Sequence, residues 1–288
     1  MKLIILFLII VLGILFHRKF EELVYTSIAF YKSFGHSPKK GRELKLKLRD
    51  FFSGMGDSIF LPQYKFFNPL CLELRELQLK HGIGASRVLT SLRKWLAEDI
   101  QFEEKTQSIL KNSLAQFAIL SAFTWIFYLN AKYSLGVQSS WLQFSLLQIA
   151  GGISFLFLYR HQKRKYFSSL EELFERGFLF KTLKPVGISV GEVLSRSRAD
   201  QILETKDKLI SKLALELLKL SQRWTSSGAQ VDLELDELLG EINFLREERR
   251  RKFELKLGGI RFIHMVVFYL LGYLLVTLSL IRQLALSY

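Results

Sequence analysis

The longest unbroken charged run in the chain is Arg246-Glu247-Glu248-Arg249-Arg250-Arg251-Lys252. Consecutive charges of mixed sign do not make an acid–base pair. They make an ion-pair lattice along a helix, or a surface that meets the opposite charge on a partner. One reading is a solvated helix face that also anchors the apolar segment after it. The other is a docking surface for an acidic patch. A second charged stretch, Glu98, Asp99, Glu103, Glu104 and Lys105, precedes an earlier apolar segment with the opposite bias. If both dock partners, the two surfaces are not interchangeable. The acids Asp232, Glu234, Asp236 and Glu237 follow Gly228. They suit a helix N-terminus, where negative charge is favoured by the macrodipole, better than a cation site.

The remaining reactive residue types are sparse. Cys71 is the single cysteine and sits among Leu70, Leu72 and Leu74, which excludes an intrachain disulfide and reads as an inert buried thiol. His17, His36, His81, His161 and His264 show no ligand spacing, so no metal is expected. No GxxxxGK[ST], nucleophile elbow or HExxH occurs. The expectation is a protein that is not an enzyme and carries no cofactor. His264 falls inside an apolar segment and reads as a neutral, hydrogen-bonded interfacial histidine, with a proton relay as its rival.

The elements that position these residues alternate between apolar and charged. The net charge of +14 invites nucleic acid as a partner. However, all 27 acidic residues and 38 of the 41 basic ones lie within 17–113 or 160–261, so each block is only moderately basic and no nucleic acid is expected. Between the blocks lie apolar stretches of membrane-span character: 1–16, 114–130, 141–159 and 260–282. The first is short, but its heavier charge follows it and no small-residue cleavage site appears, so it reads as an uncleaved anchor. Trp125, Tyr128, Tyr133 and Trp141 gather around the turn 131–140, as at a membrane–water boundary. The basic clusters at His17-Arg18-Lys19 and Arg160 to Lys165 place both blocks in the cytoplasm. The turn, both termini and the tail 283–288 then face outward. Gly151 and Gly152 permit close span packing. Gln116, Gln143, Gln148 and His264 are the residues a transporter or channel subunit, the alternative reading, would turn toward a pathway.

Each block reads as a helical bundle, 17–113 as the first module and 160–259 as the second. In the first, Leu70, Leu74 and Leu77 precede a break at His81-Gly82-Ile83-Gly84, and Val88, Leu92, Leu96 and Ile100 follow it. In the second, Ile202, Ile210, Leu213, Leu217, Leu220 and Trp224 predict a helix ended by Ser226-Ser227-Gly228, with Leu235, Leu238, Ile242 and Leu245 on the next. All four prolines are expected outside helices, and 33–42 and 53–62 read as loops. A shift of 146 residues brings Leu74 onto Leu220 and Gly82 onto Gly228. The fold expected is an all-α membrane protein: four transmembrane helices with two cytoplasmic helical bundles in a tandem, parallel repeat.

The order of helix, glycine turn, leucine helix, arginine-rich segment and span over 217–256 resembles the type II secretion system F-domain family. It is most similar to the Tad (tight adherence, Flp-type pilus) inner-membrane platform proteins, and 70–113 looks like a weaker copy. Gly191-Glu192 is the nearest candidate for the Gly-Glu pair of secretion relatives. The resemblance implies a platform in the bacterial inner membrane, in contact with membrane lipid. Its modules would engage a hexameric secretion ATPase, and its spans a sister platform protein and pilin subunits.

Overall fold

The computed structural model describes residues 38–53, 60–81, 86–135 and 141–286. The expected first span, 1–16, the glycine turn at Gly82 and the turn's tip at 136–140 lie outside the described residues. Those described are helical, with no strand among them. In chain order the helices are α1 (Pro38–Phe52), α2 (Phe67–His81), α3 (Ser86–Leu135), α4 (Trp141–Leu183), α5 (Val190–Ser197), α6 (Lys208–Ser227) and α7 (Asp232–His264). A π-helical segment, Met265–Leu270, then leads directly into α8 (Leu271–Leu286). Among the described residues, three helical stretches, Val88–Ser134, Trp141–Val186 and Asp232–Arg282, are long and apolar enough to cross a membrane, the mark of a membrane protein.

The chain divides into two compact units between Gln101 and Phe102. In the first, α1 buries Leu44, Leu48 and Phe51, α2 buries Leu70, Cys71, Leu74 and Leu77, and the start of α3 buries Leu92, Trp95, Leu96 and Ile100. Gly41 lets α1 approach closely: a Cβ there would come within 2.7 Å of Ile100 and 3.0 Å of the Tyr64 ring. Two prolines depart from expectation. Pro38 opens α1, so 38–42 is helix and not loop, and Pro69 lies in the first turn of α2. Both fit because the first-turn amides of a helix have no intrahelical acceptor to lose.

In the second unit α7 packs chiefly on α4. Around Gly177 the approach is close, since a Cβ would meet Leu239 at 3.2 Å and Leu217 at 4.0 Å. Phe180 on α4 meets Trp224 on α6 edge to face at 5.4 Å. The sequence expectation of a helix from Ile202 needs correction. Ile202 is exposed in a connecting segment, and α6 begins at Lys208, where Asp207 caps it by accepting from the Leu209 and Ile210 amides. An Asp cap satisfies donors that a helix begun at Ile202 would leave open. Pro185 lies in a 3₁₀ turn, Lys184–Val186, that ends α4.

Gly228 ends α6 at φ 65°, its amide bonded to the Trp224 carbonyl, a left-handed conformation that glycine adopts without a Cβ clash. The expected module–span borders at 113, 159 and 259 all fall inside continuous helix.

On α7, Leu239 is fully buried and Leu233 exposed. Leu239→Ala should therefore cost about 2–5 kcal/mol of stability. Leu233→Ala should stay within about 0.5 kcal/mol. Denaturant unfolding of the purified chain in detergent checks both.

Candidate partner-docking site

The charged run 246–252 occupies the middle of α7 and has two sides. Arg246 turns inward. Its side chain is 2% exposed, and its guanidinium lies 4.3 Å from the Phe102 ring centroid and 4.6 Å from that of Phe174. A flat, weakly hydrated cation suits such a slot, where the negative ring faces replace water. Arg249 reaches across to Asp207 and donates to the Tyr166 carbonyl at 3.2 Å, which ties α7 to the start of α6 and to α4. Arg250 holds Glu247 at 2.7 Å and Glu254 at 3.1 Å, and Lys105 lies 3.6 Å from Glu247. Glu248 and Lys252 pair on the outer side at 2.6 Å, beside exposed Arg251. Arginine count alone overstates the docking surface, because helical periodicity sends half of the run into the fold.

These pairs leave electrostatic marks. Partial burial of Asp207 raises its carboxyl, but the Ile210 amide, Arg249 and the Leu209 amide together outweigh it and hold the group below its ordinary value. The hydrogen bond from Arg250, opposed by partial burial, and the nearby cations do the same for Glu247.

The acidic stretch does not form one surface. Asp99 is 1% exposed and accepts from the Tyr64 hydroxyl at 2.8 Å and the Lys65 ammonium at 3.0 Å. Lys65 takes a positive φ of 43°, uncommon for a side-chain-bearing residue. Glu103 is also buried, paired with Lys163 of α4 at 2.9 Å. Glu98 and Glu104 are half-buried. At the start of α7, Asp232 meets Lys184 at 2.8 Å, Glu234 meets Arg223 at 3.1 Å, and Asp236 pairs with Lys181. These acids fasten α7 to α4, to the turn after it and to α6; Glu237 is exposed. Glu192 of the Gly191-Glu192 pair lies in the first turn of α5 and binds Arg196. Burial pushes the Cys71 thiol up to about 12, consistent with an inert side chain.

Within the spans the polar residues join helices. Gln148 of α4 is buried: its Oε1 accepts from Ser121 at 2.6 Å and from the Trp125 indole at 3.0 Å, and its Nε2 donates to Thr124 at 2.7 Å. All three partners lie on α3. Gln116 and Gln143 are exposed. His264 ends α7 with Nδ1 2.9 Å from the Ile260 carbonyl, which can only accept, and Nε2 3.1 Å from the Ser154 hydroxyl of α4. Gly151 lies close to the last span, where a Cβ would come within 2.7 Å of Phe268, whereas Gly152 faces open space. Sequence reading missed Asp207 and Ser154 as partners. Their signals were ordinary: a cap residue before a periodic run, and a serine one turn after a glycine.

No family model, curated protein or solved structure matches this chain.

The geometry sets two expected outcomes. Arg246→Ala should lower stability by about 2 kcal/mol or more, because it empties a desolvated slot between two rings. Arg251→Ala should be near neutral by the same unfolding measurement. Because the folded Asp207 carboxyl is depressed, its stabilisation is complete above the unfolded range near about 3.9. It is lost as pH falls through that range toward the folded value. Stability measured from pH 6 down to 3 should therefore fall less steeply in Asp207→Asn than in the unaltered chain.

Proposed function

We propose that this chain is the inner-membrane platform of a type II secretion or Tad-type pilus machine. It is a scaffold without catalysis of its own, whose cytoplasmic modules dock a hexameric secretion ATPase and whose spans contact a sister platform protein and pilin subunits. The observation that carries the reading is the helical path from Asp232 to Leu286: one element passes from a charged, ion-paired bundle into an apolar span without a loop. A displacement applied to the bundle is thereby delivered to the membrane segment, which a platform driven from the cytoplasm requires.

A further observation supports it. Gln148 and His264, which a transporter would need along a pathway, are instead spent on bonds between helices. Such bonds are worth about 0.6 kcal/mol each in membranes and serve as packing glue.

Co-purification from native membranes tests the proposal. A secretion ATPase and pilin-like proteins should be recovered with the chain. Recovery of neither partner across independent purifications would sink it.

A further inference from the structure

The outer face of α7 carries large apolar side chains at a fixed interval. Leu233, Phe244 and Leu255 are 72%, 75% and 79% exposed, and Phe262, on the same face, is 63% exposed. Leu233, Phe244 and Leu255 recur every eleven residues, and eleven residues make three helical turns to within about 20°. They therefore form one nearly straight stripe, which runs on through Phe262 into the last span. Gly240 and Gly259 beside it have open space where a Cβ would be. Lipid can cover Phe262. It cannot cover Leu233 and Phe244, which lie roughly 40 and 24 Å along the helix from residue 260.

We propose that this stripe is the interface with a second copy of the chain, the two α7 helices running side by side and parallel about a two-fold axis along the membrane normal. Copies in one bilayer enter it in the same direction, so their last helices can meet along their length only in parallel. A two-fold pair sets one flank of the stripe against the opposite flank of the other copy. Between Phe244 and Leu255 those flanks carry complementary charge. Glu248 on one side falls beside Arg251 of the second copy, and Lys252 beside its Glu254. An exposed leucine or phenylalanine contributes on the order of 100 Å². Four from each copy, with the flanking charges, reach the roughly 1,000 Å² that a specific interface needs. This gives the sister contact of the scaffold reading a surface and an identity. It rests on that reading only for its purpose.

The test uses the full-length chain in lipid nanodiscs and vesicles with Cys71→Ser as background. Oxidation of Leu233→Cys or Phe244→Cys should give a covalent dimer, because residues near a two-fold axis meet their own copies. Lys212→Cys, exposed on α6, should give none. Without cross-linking, Phe244→Arg should weaken dimerisation about tenfold or more. Arg251→Glu should weaken it too, and adding Glu248→Arg should restore it. A chain that stays monomeric, cross-links equally at Lys212, dimerises despite Phe244→Arg, or joins a different protein through Phe244→Cys in native membranes would overturn the pairing. No ATPase enters these readouts, so a monomer would leave the docking proposal standing.

Discussion

The second unit depends on the placement of one cation. Arg246 lies between Phe102 of α3 and Phe174 of α4, so a single α7 side chain fixes three helices at one level. Burying a guanidinium away from water is costly unless its charge meets an answering electron density. Two ring faces and the Asn243 side-chain oxygen at 3.4 Å supply it here. The same level carries the bonds from Arg249 to α6 and α4 and the pair between Lys105 and Glu247. Below it, Phe253 packs edge to face with Phe167 at 5.4 Å and contacts Tyr159. Polar and aromatic contacts thus alternate down α7 toward the membrane.

Further along, the fixing changes in kind. At His264 the helix is held to α4 through Ser154, and one turn later the Phe268 side chain fills the space Gly151 leaves. Between these points the backbone passes into a π-helical turn, where the Leu271 amide bonds to the Val266 carbonyl. The extra residue in such a turn rotates the rest of the helix about its axis. Tyr269 stacks on Phe117 of α3 with planes 9° apart, which anchors the segment on its other side. The last span is therefore keyed to both neighbours in the half that follows α7.

Much of this was legible in sequence, for identifiable reasons. The heptad-like leucines of α6 and α7 and the Gly228 break mark helices that the structure contains, because amphipathic period and left-handed glycine are local properties. The start of α6 was misread because Ile202 extends the apolar spacing, while the Asp207 cap, a side-chain bond to two amides, overrides spacing. Prolines 38 and 69 were misplaced because a helix's first turn tolerates what its interior does not. Arg246 was unreadable as a core residue. Nothing local distinguishes it from Arg251, and only the rings of Phe102 and Phe174, more than 70 residues away in sequence, decide which turns inward. The acidic stretch 98–104 failed as a single surface for the same reason. Asp99 and Glu103 find distant lysines, Lys65 and Lys163.

The central claim is that α7 is a strut that carries the position of the helical bundle into the last span. Hydrogen exchange of the full chain in lipid nanodiscs, resolved along 232–286, tests it most directly. The account predicts slow exchange unbroken from Leu238 through Val276, lost on both sides of residue 246 together when Arg246 is replaced by alanine. Fast exchange in 240–258 of the unaltered chain, with protection confined to the span, would contradict it.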